Sequence, residues 1–196
     1  MIDKYPLPER IQIKCDRDEF TPYCDNVATM YQHAFRGHPW YEDLSVDEVN
    51  GRIGSHMAKP GFRAYLDMSG ENVVGAMWYD TPSLTELQIE RGDELAGLAR
   101  DYKADNPNGL IVWEREVIVD PNYAGRGIAT GLRSNFINDL KCDIPGGALV
   151  LTRMRSNNNA IVKIAEKMGF ARTGITMPCS LDPQYYHEYW ALQIEA

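Results

Sequence analysis

Apolar and polar positions divide the chain into short alternating strands and longer helical faces. Residues 10–15 (RIQIKC) alternate with period two, as a half-buried strand does. Thr21-Pro22 supplies an N-cap with proline at the first helical position, predicting a helix to about Phe35. Residues 37–44 read as a loop, and Ser45-Val-Asp-Glu48 as a capping box opening a second helix that ends before Lys59-Pro60. Residues 62–67 and 72–79 predict two strands joined by a hairpin turn. Residues 110–119 (LIVWEREVIV) predict a long strand rich in β-branched residues.

Between those strands, residues 81–109 have a polar composition with helix formers from about Leu84 to Tyr102, and read as a helical insert. After residue 127, Ile128, Leu132, Phe136 and Leu140 recur every four positions, one face of a helix. Residues 148–154 predict another strand. Asn157 to Asn159 cap a helix that buries Ile161, Ile164, Ala165 and Met168 and stops at Gly169. Residues 170–176 and 185–194 predict the last two strands. The order β-α-α-β-β-(insert)-β-α-β-α-β-β describes one mixed α/β domain over residues 1–196.

Composition narrows the partners. The net charge of −8 disfavours wholesale nucleic-acid binding and only mildly suggests a cationic substrate. Cys15, Cys24, Cys142 and Cys179 show no C-x-x-C spacing and no ligand pattern with the histidines, so no metal is expected. The N-terminal residues lack the apolar core of a signal peptide, and no run approaches a membrane span. The expectation is a soluble cytoplasmic protein without membrane or nucleic-acid partners; a homodimer stays open.

The chemistry starts at residues 117–132 (VIVDPNYAGRGIATGL), where an apolar strand enters a glycine loop and then a helix. Glycine lets a ligand approach the backbone, and the unpaired amides that open a helix form an anion seat. No lysine follows as a P-loop requires, and the G-x-G lies too late in the chain for a dinucleotide fold. A tight strand-to-helix turn without a ligand is the plain alternative.

Residues 121–129 (PNYAGRGIA) resemble the pyrophosphate loop of the GCN5-related N-acetyltransferases (GNAT), written [QR]-x-x-G-x-[GA], with Ala124 in its first place. Residues 158–170 (NNAIVKIAEKMGF) resemble the segment N-x-x-[AI]-x-x-[LI]-Y-x-x-x-G-F, with Ala165 in place of its tyrosine. The resemblance implies the GNAT fold: a central, splayed, mixed and mostly antiparallel sheet of six to seven strands flanked by about four helices. It implies acetyl-CoA as cosubstrate and a primary amine of a small molecule or peptide as acceptor. The thioester arm would pair with the strand edge at Val117, Ile118 and Val119. The pyrophosphate would lie on Ala124, Gly125, Arg126, Gly127, Ile128, Ala129 and Thr130, with Asn158 reaching the arm or simply capping its helix.

Acyl transfer needs a base for the amine, a polarised carbonyl and a proton for the leaving thiolate. Glu114 and Glu116 stand two apart on the predicted strand, hence on one face, and at least one is expected to act. The resemblance favours Glu116. With Ala165 unable to donate a proton, Tyr186 is the candidate acid, although Tyr185, Tyr186 and His187 also suit packing of a strand edge. Trp40, Tyr41 and Glu42 are candidates for holding an ammonium, or for joining the first two helices. A non-catalytic acyl-CoA-binding module on the same fold, and a nucleotide-binding protein, remain the alternatives.

Overall fold

The computed structural model describes residues 10–37, 40–179 and 182–195. Its strands are β1 (Arg10–Cys15), β2 (Arg63–Ser69), β3 (Asn72–Asp80), β4 (Leu110–Val119), β5 (Ala148–Arg155), β6 (Ala171–Pro178) and β7 (Tyr186–Ile194). They form one sheet in the order β1-β2-β3-β4-β5-β7-β6. Every neighbouring pair is antiparallel except β4 and β5, which run parallel. The crossover between them runs through the glycine loop and α6, the long helical connection that a parallel pair needs.

The helices are α1 (Arg17–Phe20), α2 (Cys24–Arg36), α3 (Val46–Met57), α4 (Leu84–Arg91), α5 (Asp93–Asp105), α6 (Ile128–Asp143) and α7 (Asn159–Lys167). Strand alternation sorts the core. Ala64 and Leu66 of β2, Ala76 and Trp78 of β3 and Ile118 of β4 pack with α2 and α3. Their alternates Tyr65, Met77 and Tyr79 pack with α6 on the opposite face, joined by Val150 and Met154 of β5. Ile111 and Trp113, with Leu149 and Leu151, pack under α4 and α5. Gly75 allows α6 to sit close: a Cβ there would meet Ile128 Cγ2 at 2.3 Å.

Two boundaries differ from the sequence reading. The first helical segment starts upstream of Thr21-Pro22, because Asp16 and Glu19 already form a capping box. Asp16 accepts from the Asp18 amide at 2.9 Å, and Glu19 reaches back to the Asp16 amide at 2.9 Å. Pro22, which has no N–H to give, then sits in a single 3₁₀ turn before α2 begins. The insert is two helices, broken at Gly92 with φ +91°. Its residues Leu87, Leu95, Ala99 and Tyr102 are buried against the sheet. Among the described residues no helix is long and apolar enough to cross a membrane, and no cluster of His, Cys, Asp or Glu could hold a metal.

Candidate active site

The site is organised by the failure of β4 and β5 to stay together. They pair from Leu110↔Ala148 to Glu114↔Thr152 and no further. Beyond that point β4 keeps β3 on one side only, through Val117↔Met77, Ile118↔Ala76 and Val119↔Gly75. The other edge of residues 117–119 faces a cleft of about 150 Å³, lined also by Thr152, Met154, Asn158 and Ile161. A strand edge with open amides and carbonyls, beside an apolar wall, suits an extended amide-containing chain.

β4 leads directly into the glycine loop. Gly125 and Gly127 both adopt left-handed backbone, φ +75° and +76°, which side chains disfavour. A Cβ at either would meet no atom within 4 Å, so the space in front of them is open. The first bond inside α6 runs from the Gly131 amide to the Gly127 carbonyl at 2.8 Å. Helix geometry therefore leaves the amides of Ile128, Ala129 and Thr130 without intrahelical acceptors, at the positive end of a 16-residue helix. Ala124 to Gly127 are exposed, whereas the Ile128 side chain is buried in the core and offers only its backbone. The Arg126 guanidinium lies 5.0 Å from the Tyr123 ring centroid. Asn158 both caps α7, accepting from the Ile161 amide at 3.5 Å, and lines the cleft.

A second cavity, of about 470 Å³, opens on the other face of the sheet, between the 40–44 loop, α3, α4 and the ends of β4 to β7. Glu116 lines both it and the cleft. A β-bulge puts it there. Trp78 stands opposite Glu116 and Tyr79 opposite Glu114, so Arg115 is an extra residue on β4. The bulge reverses the faces: Glu114 and Glu116, two apart in sequence, point to opposite sides of the sheet. The expectation that they share a face is therefore corrected.

Their environments differ accordingly. Glu114 is buried under α6, where Arg133 grips it with two bonds, Nε at 3.0 Å and Nη2 closer, and Thr152 Oγ1 donates at 3.1 Å. With its oxygens so occupied, Glu114 fixes α6 to the sheet and is not free to take a substrate proton. Glu116 is half-buried and has no hydrogen bond or ion pair among the described residues. Burial pushes its carboxyl up to about 7, with Glu42 adding to the rise against the pull of Arg52, Arg153 and Arg91. His56, on the same cavity wall, accepts the Trp78 indole N–H on Nδ1 at 3.1 Å. Burial and the charges of Arg115 and Arg52 hold it down at about 3, so it is neutral and keeps its proton on Nε2.

The remaining sequence candidates separate. Trp40, Tyr41 and Glu42 line the larger cavity. Trp40 also packs on Phe35, with ring centroids 5.0 Å apart, and Glu42 pairs with Arg52 at 3.2 Å. The loop thus does tie the first two long helices together, and its carboxylate already has a cation. Tyr186 is 44% exposed and lines a different hollow, with Arg172, Thr176 and Glu188. Strand alternation turns Tyr186 away and His187 toward the cavity, so the proposed acid is not brought to Glu116. Ala165 is fully buried, on the core-facing side of α7. The cleft is lined by no tyrosine or cysteine among the described residues.

Sequence reasoning missed Tyr31, Arg52, His56, Arg91, Trp113 and Arg153, all of which line the larger cavity, and named His187 only beside Tyr186. Of these, Arg153 carried a local signal, as a charge in register with the buried Leu149 and Leu151 of β5.

Comparison with known proteins agrees with this geometry. The family model described as the acetyltransferase (GNAT) family matches residues 55–170. No curated protein matches the chain in sequence. Among solved structures, the ribosomal-protein-S18-alanine N-acetyltransferase of Escherichia coli is similar in fold, with 14% identity, 96% of each chain covered and a TM-score of 0.63. The protein yncA of Salmonella typhimurium, solved with its cofactor acetyl-CoA, shares 15% identity over 94% of this chain and 93% of its own, with a TM-score of 0.61. NAA60 of Arabidopsis thaliana, in complex with a bisubstrate analogue, shares 11% over 94% and 98%, with a TM-score of 0.65. With the family model spanning more than half of its residues and this fold around the splayed strands, the chain belongs to the acetyltransferase (GNAT) family.

Proposed function

We propose that this chain is an acetyl-CoA-dependent N-acetyltransferase acting on a primary amine by direct attack. One observation carries the reading: Glu116 borders both the cleft and the larger cavity, with no partner and a carboxyl near 7. An amine near pKa 10 arrives mostly as ammonium, and a base titrating near neutral pH is matched to removing its proton.

In this reading acetyl-CoA lies along the open edge of Val117 to Val119. The amides of Gly125 to Thr130 hold its pyrophosphate, Asn158 meets its arm, and the thioester it supplies faces Glu116. Glu116 takes the ammonium proton from the cavity side, leaving the amine lone pair free. Neutral His56 offers an N–H on the same wall. We assign no side chain as acid for the leaving thiolate, because neither Tyr186 nor Ala165 supplies one at the cleft.

The buried Ala165, where the family pattern has tyrosine, favours one second reading: a non-catalytic acyl-CoA-binding module. Thiol release from acetyl-CoA, followed across a panel of amines, amino acids, aminoglycosides and peptides, separates the two. Acceptor-dependent release supports the enzyme. Binding of acetyl-CoA without release by any acceptor supports the module.

A further inference from the structure

Charge is unevenly compensated in the larger cavity. Arg52 is held by Glu42 and by the Tyr31 hydroxyl. Arg115 is held by Asp80 and, at 2.8 Å, by Glu90. Glu90 also binds Lys59, so its carboxylate is already shared when Arg91 approaches it at 3.8 Å. Arg91 is left with a buried Nε that has no partner, its guanidinium lying 4.6 Å from the Trp113 ring centroid. Arg153 has no acidic partner among the described residues; its Nη1 meets only Met177 Sδ, at 3.6 Å.

Both residues line the same cavity. Burial, then the charge of Arg153, pushes Arg91 down. His187 adds a buried Nδ1 with no partner on the same wall, and burial and Arg153 hold that ring near 4, hence neutral. The groups facing this corner are therefore Arg91, Arg153, the already paired Arg115, and two neutral histidines, His56 and His187. The remaining acids of the cavity are Glu116, Glu42, which is paired with Arg52, and Asp43, which is 4.0 Å from Arg36. The largely buried Arg91, with its Nε unpaired, costs free energy that a ligand anion would recover, and Arg153, exposed and without an acidic partner, is free to meet the same ligand. Arginine forks match a carboxylate, and the aromatic face beneath Arg91 fixes its plane.

We propose that the acceptor is an amino acid, its carboxylate held between Arg91 and Arg153 while its amine faces Glu116. This names the substrate class of the acetyl-transfer reading above and rests on it. The cavity volume of about 470 Å³ lies in the small-molecule range. It also reverses the inference drawn from net charge: a chain of −8 presents a positive corner to its substrate.

The test uses the full chain, acetyl-CoA and matched pairs: each common amino acid against its carboxamide, with phosphoethanolamine and simple alkylamines beside them. The amide's amine is the easier to deprotonate, so chemistry alone would favour it. The proposal predicts the opposite, with the best free amino acid exceeding its amide by roughly 10- to 100-fold in kcat/KM, the worth of charge-assisted hydrogen bonds. Arg153→Ala should raise KM for that amino acid and bring the preference close to one, and Arg153→Lys should restore part of it. The acetyl-CoA thermal shift reports that the variant is folded. Equal or better use of amides or alkylamines overturns the proposal while leaving acetyl transfer standing, as does a preference for phosphoethanolamine. A preference that survives Arg153→Ala and Arg91→Ala alike also overturns it. No thiol release with any amine overturns both readings together.

Discussion

The two cavities that meet at Glu116 are built in different ways. The cleft uses backbone: an open strand edge at residues 117–119, two left-handed glycines and the amides that open α6. The larger cavity uses side chains drawn from the 40–44 loop and from α2, α3, α4, β4, β5, β6 and β7, segments far apart in sequence. Backbone recognition constrains the chain locally, since a glycine is needed wherever φ must be positive or a ligand must approach closely. Side-chain recognition constrains only where folded elements end up. A site built from backbone therefore leaves a local mark in the sequence, and one built from side chains need not.

Breaking the ion pair that fixes α6 to the sheet beside the cleft should have the largest effect on stability. Arg133→Ala removes the cationic partner of buried Glu114 and leaves it only the Thr152 hydroxyl. Denaturant unfolding should show a loss of about 3–5 kcal/mol, the cost of breaking a buried pair from one side. A loss under 1 kcal/mol would mean that water reaches Glu114.

The backbone character of the cleft is tested next by Gly127→Val. Valine would be strained at φ +76°, and its side chain would project into the open space before the amides. Acetyl-CoA at about 100 times its Kd should stabilise the parent chain by roughly 2.7 kcal/mol, and the folded variant by almost nothing. NAD and ATP should stabilise neither. An undiminished response to acetyl-CoA would remove the loop from the site.

A smaller effect sharpens the account of the side-chain cavity. The Glu116 carboxyl is raised from 4.5 to about 7, so the native state favours its protonated form. That contribution is fully present below about 4.5 and is lost as pH rises through 7. Glu116→Gln should therefore match the parent in stability near pH 4 and exceed it above pH 7. Because the group is only half-buried, the gain should be on the order of 1–2 kcal/mol. A variant destabilised at pH 8 would show that the charged form has a partner. Smallest of all, Asn158→Ala should cost about 1 kcal/mol for the lost helix cap and weaken acetyl-CoA binding several-fold. Unchanged binding would leave Asn158 as a cap only.

What was legible in the sequence follows the same division. β4 and the start of α6 were readable because periodicity and glycine placement act over a few residues. The faces of Glu114 and Glu116 were not, because a bulge breaks the period-two rule without leaving a mark: nothing in WEREV says that Arg115 is extra. Asp16 and Glu19 did carry a capping signal, eclipsed by Thr21-Pro22 nearby. The insert read as helical but not as part of the core, because its buried residues, Leu87, Leu95, Ala99 and Tyr102, are spread thinly over two helices. Arg91 and Arg153 converge only through the folding of α4 onto β5, which no local pattern encodes.

The central claim is that Glu116 is the base where the two cavities join, and the pH dependence of kcat/KM in the parent chain and in Glu116→Gln tests it most directly. In the parent, kcat/KM should climb about tenfold per pH unit and bend near 7, where the carboxyl ionises. In the variant that bend should vanish, with a loss of about 10²–10⁴ near neutral pH that narrows as the acceptor amine itself deprotonates. A bend near 7 that persists in Glu116→Gln, or full activity in the variant, would contradict the account.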